Sequence, residues 1–156
     1  MSTPRIDFYT ASPAALKAML TLEGSIAKLG LEASLIELVK MRTSQINGCA
    51  FCLDMHTREL LSKGEPVEKL ALLQAWREAG TMFDARERAA LAWAESVTRV
   101  AETGVPDEHY AAAREIFSER ELVDLTFAIG LMNTYNRMAI SFRSTPKAVL
   151  DLAHGC

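Results

Sequence analysis

Proline near the start of three segments, with glycine at the end of two of them, is the feature that most restricts the fold of this chain. Segment 12–30 has Pro13 at its first helical position and Gly30 at its end. Segment 66–80 also begins with proline and ends at glycine, and segment 105–118 is again led by proline. Proline fits the first turn of a helix, and glycine accepts the conformation that follows the last turn. Each segment is therefore predicted to be one helix.

The rest of the chain carries apolar residues at helical spacing, which predicts further helices over 31–46, from near Cys49 to Lys63, over 84–104 and over 119–143. Segment 119–143 is apolar almost all round, which is typical of a central helix buried on several sides. An Asn-Gly pair can join two strands, but neither flank of this one alternates as strands do. The predicted fold is all-α, a single-domain array of six to seven helices joined by short loops.

Length and charge limit the classes of function. A chain of 156 residues can bury a core as one domain, here taken as residues 1–156. A net charge of −3 does not indicate a nucleic-acid-binding surface. Neither a signal peptide nor a membrane-spanning apolar run is evident, so a cytoplasmic location without membrane contact is expected. Cys156, at the end of the chain, is expected to be incidental.

The segment 44–60 holds the residues with the clearest chemical meaning. Cys49, Cys52 and His56 follow the Asn-Gly break at positions i, i+3 and i+7, which share one face of a helix. A helix N-terminus favours a thiolate, and two cysteines one turn apart are close enough to form a disulfide. His56 lies one turn beyond Cys52, within reach as a proton donor or acceptor. The segment therefore has the nucleophile, resolving thiol and base that thiol–disulfide chemistry needs.

Two other interpretations of this segment are weaker. Free cysteines can be small buried hydrophobic residues, but two at this spacing are seldom accidental. A zinc site needs a fourth ligand, and the other histidines, His109 and His154, have no ligand spacing, so no metal is expected. A thioredoxin fold needs strands between its helices, and no convincing strand is present. Redox chemistry on an all-α scaffold is the interpretation that remains.

The stretch "ELVKMRTSQINGCAFCLDMH" resembles the signature of the alkylhydroperoxidase D-like proteins in the carboxymuconolactone decarboxylase superfamily. That signature is a glutamate, eleven residues, Cys-X-X-Cys, three residues and a histidine, matched by Glu37, Cys49, Cys52 and His56. "ALAWAESVTRV" and "NTYNRMAISFR" also look like the later helices of short single-domain members, so the resemblance covers roughly residues 5 to 146. Decarboxylase members of the superfamily do not use a Cys-X-X-Cys pair, which argues against that activity here.

The resemblance implies an antioxidant peroxidase that assembles as a homo-oligomer, a trimer or hexamer. It makes Cys52 the cysteine that attacks a hydroperoxide and Cys49 the resolving cysteine, exposed to the reductant. Glu37 and His56 would relay protons to the attacking thiol. The partners it implies are a hydroperoxide substrate and a dithiol reductant or reducing protein, with no bound cofactor.

Two residues of the segment each leave an alternative open. The helix dipole by itself favours Cys49, nearer the helix start, as the more acidic thiol, whereas the resemblance favours Cys52. The best-known peroxidase members carry a histidine immediately before the second cysteine, where this chain has Phe51. Phe51 therefore favours the alternative function, a thiol–disulfide exchange protein or redox sensor with little peroxidase turnover.

Several residues outside the motif have simpler roles. Asn47 is expected to cap the helix that follows it. Asn133, Asn136 and Arg137 interrupt an apolar helix and are expected to make structural hydrogen bonds. Trp93, with Val100, lies off the main apolar stripe of its helix and is expected to contact another subunit. Six methionines are expected to fill the core: Met19, Met41, Met55, Met82, Met132 and Met138.

Overall fold

The structure is a computed structural model that describes residues 3–154. None of these residues lies in a β-strand, which confirms the all-α prediction. Cys156 lies outside the described residues. The helices are α1 (Phe8–Ala11), α2 (Pro13–Ile26), α3 (Ala33–Asn47), α4 (Ala50–Ser62), α5 (Val67–Leu72), α6 (Ala85–Thr98), α7 (Val100–Thr103), α8 (Asp107–Arg114), α9 (Glu119–Phe142) and α10 (Lys147–His154). Within the described residues, no helix has the length and hydropathy needed to cross a membrane.

The segment predicted as one helix over 66–80 is divided. An α-helical turn over Val67–Leu72 continues as a 3₁₀ turn over Leu73–Ala75, and a second 3₁₀ turn follows at Gly80–Met82. Leu70, Leu73 and Trp76 are all buried at intervals of three residues. That interval matches the three residues per turn of a 3₁₀-helix, so the tighter winding brings all three side chains to the core.

Helices α3 and α9 form the centre of the molecule. Helix α3 packs against α4, α6 and α9, and α9 also packs against α2, α6 and α8. The largest core cluster includes Val39 of α3 and Leu125 and Ile129 of α9, all inaccessible to solvent. Since α3 lies between the other long helices, groups on α3 can meet groups on both α4 and α9.

One expectation about buried faces is confirmed and one is corrected. Helix α9 is buried on several sides, as predicted, while Val123 and Phe127 remain 54% and 55% exposed on one face. Trp93, expected to contact another subunit, belongs to the main core cluster of its own chain. Its indole Nε1 donates a hydrogen bond to Thr126 Oγ1 at 2.9 Å, which satisfies the polar atom of a ring that α9 covers.

Candidate active site

A left-handed glycine makes the turn between α3 and α4. Gly48 ends α3 with φ 70°, a conformation that other residues adopt at a cost. The backbone N–H of Cys49 donates to the Ser44 carbonyl at 3.0 Å. Cys49 is the cap residue of α4, and its Sγ accepts the backbone N–H of Cys52 at 3.3 Å. The motif therefore lies at a helix start, as its spacing predicts.

Asn47 does not cap α4 and instead joins α3 to α9. It is the last residue of α3, and its Nδ2 donates to Asn133 Oδ1 at 3.0 Å and Asn136 Oδ1 at 2.9 Å. Asn136 Nδ2 donates to Ser44 Oγ at 3.0 Å, and Arg137 donates to Asn133. The expected hydrogen bonds of the polar α9 residues are thus present within one chain, and they hold the end of α3 beside the motif.

Cys49 and Cys52 are joined as a disulfide, with their Cα atoms 5.4 Å apart. They pack with Met132 and Ala139 of α9 in a small apolar cluster. Cys49 is only 1% exposed and Cys52 2%. The expected exposure of Cys49 is therefore wrong for the single chain, because α9 covers both sulfur atoms.

His56 connects the motif to α3 and α9. Its Nδ1 lies 2.9 Å from Glu37 Oε2, so the chain folds the two predicted site residues into direct contact. Its Nε2 lies 3.3 Å from Met132 Sδ. Both His56 and Glu37 are buried. The imidazole is thus held at both nitrogen atoms by residues distant in sequence.

A lysine that the motif does not include completes the contacts of Glu37. Lys40, one turn along α3, donates from Nζ to Glu37 Oε1 at 3.0 Å and to Glu23 Oε1 at 3.2 Å. Tyr135 donates its hydroxyl to Glu23 Oε2 at 3.0 Å. A continuous chain of hydrogen bonds therefore runs from His56 through Glu37 and Lys40 to Glu23, which is more exposed than the others.

Burial opposes ionisation of Glu37, but the hydrogen bond to His56 and the charge of Lys40 outweigh burial and lower its pKa to about 2. Burial also opposes the charge of Lys40, and the Glu37 carboxylate overcomes it and raises the pKa of that ammonium. Glu37 is therefore an anion at neutral pH. Since a carboxylate only accepts, His56 Nδ1 carries the proton shared between them.

A cavity of about 230 Å³ reaches the motif from the side of α1 and α2. Cys52 and His56 line it, and Cys49 does not. Its other walls are mainly apolar and aromatic, with three charged residues, Glu23, Lys40 and Glu59. The apolar and aromatic residues are Phe8, Tyr9, Leu16, Leu20, Phe51, Met55, Met132, Tyr135 and Ala139. The cavity therefore offers a small apolar molecule access to Cys52 beside a histidine.

One group of side chains has the composition of a metal site but does not fit one. Potential ligand atoms of Glu37, His56 and Glu59 lie within 4.8 Å of one another. Both oxygens of Glu37 already accept hydrogen bonds, from Lys40 and His56, and the Lys40 ammonium supplies the positive charge. A cation there would have to displace an ammonium from its carboxylate.

Sequence reasoning missed Lys40, Glu23, Met132 and Tyr135. Lys40 had a local signal, because it lies three residues after Glu37 on the same helix and such residues are neighbours. Met132, expected only to fill the core, and Tyr135 approach the site through the packing of α9 on α4 and α2. No local pattern marks such contacts.

Comparisons with known proteins give one family model and a relative of similar length. The model of the carboxymuconolactone decarboxylase family matches residues 13–96. The uncharacterised protein YdfG of Bacillus subtilis (strain 168) is 36% identical over 137 residues, which cover 88% of this chain and 92% of YdfG.

Solved structures show the same fold. The crystal structure of a protein of unknown function from Agrobacterium tumefaciens, described as a candidate antioxidant defence protein AhpD, has 44% identity and a TM-score of 0.88. The match covers 92% of this chain and 98% of that one. The crystal structure of the apo debrominase Bmp8 has 19% identity and a TM-score of 0.76. The match covers 91% of this chain and 78% of Bmp8. At that identity the similarity shows the fold alone.

Proposed function

Since the chain belongs to the carboxymuconolactone decarboxylase family and is similar to its AhpD-like members, we propose that its Cys49–Cys52 pair reduces organic hydroperoxides. The observation that carries this proposal is the largely apolar cavity that Cys52 and His56 line together, through which a small molecule can reach Cys52. An apolar wall favours a hydroperoxide that carries an organic group over hydrogen peroxide, because burial of that group adds binding free energy.

The proposed oxidation begins at Cys52. His56 accepts the thiol proton, and the thiolate attacks the terminal oxygen of the hydroperoxide. The O–O bond breaks, Cys52 becomes a sulfenic acid, and the departing alkoxide takes the proton from His56 and leaves as an alcohol. The Cys49 thiol then attacks the sulfenic sulfur, so that a disulfide forms and water leaves. A dithiol compound or reducing protein restores both thiols by exchange and becomes oxidised itself.

Glu37 supports this role of His56. The carboxylate fixes the proton on Nδ1, which leaves Nε2 as the nitrogen that gains and loses a proton. Met132 Sδ, 3.3 Å from Nε2, is an acceptor only and can receive that nitrogen's N–H once it is protonated. The proposed reaction needs neither a metal ion nor a bound cofactor.

We also propose that the protein is a cytoplasmic homo-oligomer, a trimer or hexamer. The support is an apolar groove of about 880 Å³ along α9, whose lining includes Tyr110, Val123 and Phe127. Val123 and Phe127 are exposed, and a contiguous exposed apolar patch is typical of an interaction surface.

The test is stopped-flow mixing of the reduced protein with an organic hydroperoxide, with thiols counted before and after. We expect the loss of two thiols per chain, much faster than for free cysteine. Cys52→Ser should abolish peroxide consumption. Cys49→Ser should leave a Cys52 sulfenic acid that a trapping reagent captures. Cys156→Ser is the matched control and should react as the unaltered protein does. Sulfenic acid at Cys49 in place of Cys52 would reverse the roles.

Phe51 supports a second candidate function, a dithiol exchanger or redox sensor. It lines the cavity beside Cys52, where a further histidine would offer another proton donor. Oxidation by hydroperoxide no faster than that of free cysteine, together with rapid exchange with a disulfide, would favour this function over peroxidase activity.

A further inference from the structure

We propose that Lys40 is a positioning residue for the Cys52 reaction: it holds Glu37 as the anion that orients His56. The proposal rests on the proposed function in that it assigns a further residue to the same site. Lys40 makes no hydrogen bond to either cysteine, but it lines the same cavity as Cys52. Its charge therefore acts on Cys52 across that cavity as well as through Glu37 and His56.

Hydrogen bonds fix both oxygens of the Glu37 carboxylate. One carboxylate oxygen accepts from Lys40 at 3.0 Å and the other accepts from His56 Nδ1 at 2.9 Å. The Lys40 side chain is 13% exposed and that of Glu37 8%. A buried carboxylate that lost its ammonium partner would be strongly destabilised as an anion. Without Lys40, Glu37 would therefore compete for the proton that it now leaves on His56.

The charged groups around Lys40 do not supply a substitute. Glu23 of α2 adds a second negative charge. Glu59 of α4 and Lys63, just after α4, line the same pocket as Lys40. Lys63 is engaged with Glu59 at 2.7 Å. On the cavity side stand two phenols, Tyr135 of α9 and Tyr9 of α1. The net charge beside Glu37 thus depends on Lys40.

Replacement of Lys40 by methionine removes a positive charge from the cavity that Cys52 lines, and it favours the neutral form of Glu37, which supports a protonated His56 less well. Both changes disfavour a thiolate beside His56, so thiolate formation at Cys52 should require higher pH. We expect the midpoint of the pH–rate profile to rise by about one pH unit, which lowers the rate on the acid side about tenfold.

The experiment measures alkylation of Cys52 by iodoacetamide against pH in reduced Cys49→Ser/Cys156→Ser protein. In that background Cys52 is the single cysteine. Lys40→Met should shift the midpoint upward, and Lys40→Arg, which keeps the charge, should restore it. Lys147→Met is the matched control, because Lys147 forms an exposed ion pair with Asp151 on α10. If Lys40→Met does not fold, Lys40→Gln is measured instead, because it removes the same charge but keeps a polar side chain.

Each outcome decides for or against the proposal. An alkylation rate that Lys40→Met lowers equally at all pH values, or leaves unchanged, would overturn the proposal. Lys40 would then serve only to form a structural ion pair with Glu37. A shift that Lys40→Arg fails to reverse would also overturn it, because the charge would not be the cause. Alkylation does not depend on peroxide. An upward shift in a protein that consumes no hydroperoxide would therefore support the positioning role of Lys40 and reject only the proposed peroxidase activity.

Discussion

His56 is the residue at which three helices meet. It belongs to α4, its Nδ1 binds Glu37 of α3, and its Nε2 contacts Met132 of α9. An imidazole contacted at both nitrogens has a defined orientation, and in the proposed reaction Nε2 is the atom that transfers protons. The disulfide beside it is equally enclosed, and Cys52 meets the cavity while Cys49 does not. This asymmetry is the structural basis for giving the two cysteines different roles.

Phe51 provides a prediction at the residue scale. Phe51→His would place a second imidazole in the cavity wall next to Cys52. If proton delivery to the departing alkoxide limits the reaction, hydroperoxide consumption should rise, by about 10²-fold at most. Stopped-flow kinetics measure this rate. Phe51→Leu keeps the wall apolar and is the comparison variant, for which no gain is expected. An equal rate in the histidine and leucine variants would mean that proton delivery is not limiting.

At the scale of elements, the turn between α3 and α4 decides the geometry of the site. Helix α3 carries Glu37 and Lys40, and α4 with its cap residue carries the two cysteines and His56. The angle of the turn therefore determines whether Glu37 reaches His56. Gly48 supplies the left-handed residue, and the amide of Asn47 ties the end of α3 to α9. The turn is therefore held by both backbone conformation and buried hydrogen bonds.

Gly48→Ala should destabilise the protein by about 1 kcal/mol, because an L-residue in this conformation is strained. A Cβ at Gly48 would meet no atom within 4 Å, so strain of the backbone is the whole effect. Gly24→Ala is the matched control: its added Cβ is equally free, but it lies inside α2 with ordinary φ. It should stabilise by up to about 1 kcal/mol. Urea unfolding measures both; equal effects of the two substitutions would contradict the strain at Gly48.

At the scale of the whole molecule, buried carboxylates link stability to pH. Glu95 is also buried; burial opposes its ionisation, but hydrogen bonds from Trp76, Arg77 and Arg42 outweigh burial and lower its pKa. It joins α6 to α3 and to the segment after α5. Together with Glu37, it gives the native protein two internal anions that the unfolded chain does not stabilise.

Acid should therefore destabilise the fold. Glu37 has a pKa of about 2 in the native protein against an ordinary value of 4.5, so the unfolded chain binds more protons between these values. The stability it contributes is complete above about 4.5 and is lost as the pH falls toward about 2. Thermal unfolding across this range measures the loss, which should be smaller in Glu37→Gln. An equal loss in Glu37→Gln would assign the acid sensitivity to other carboxylates.

The exposed face of α9 predicts assembly. Phe127→Glu would place a charge in the apolar groove, where its burial against another subunit is costly. We expect a smaller particle by light scattering. Leu152→Glu is the control, because Leu152 is exposed on α10, away from the groove. An unaltered particle mass in Phe127→Glu would show that this face is not the subunit contact.

Local patterns were enough to predict the helical class and the motif. Periodic apolar residues and the proline and glycine positions define helices because they act within one or two turns. They did not predict α1 or α10, which are short and lie near the ends. They also gave Asn47 a capping role, because the motif alone could not show that two asparagines of α9 lie within reach of its amide.

By itself, the sequence determined that Cys52 and His56 lie one turn apart on one helix that begins near Cys49, since helix geometry makes residues four positions apart neighbours. The tertiary structure alone decided that Glu37 binds His56 with Lys40 behind it, that Met132 faces the other nitrogen, and that Cys49 is covered. The contact of His56 with Met132 joins residues 76 positions apart. They depend on how helices pack, which is set by the fit of whole side-chain surfaces rather than by spacing along the chain.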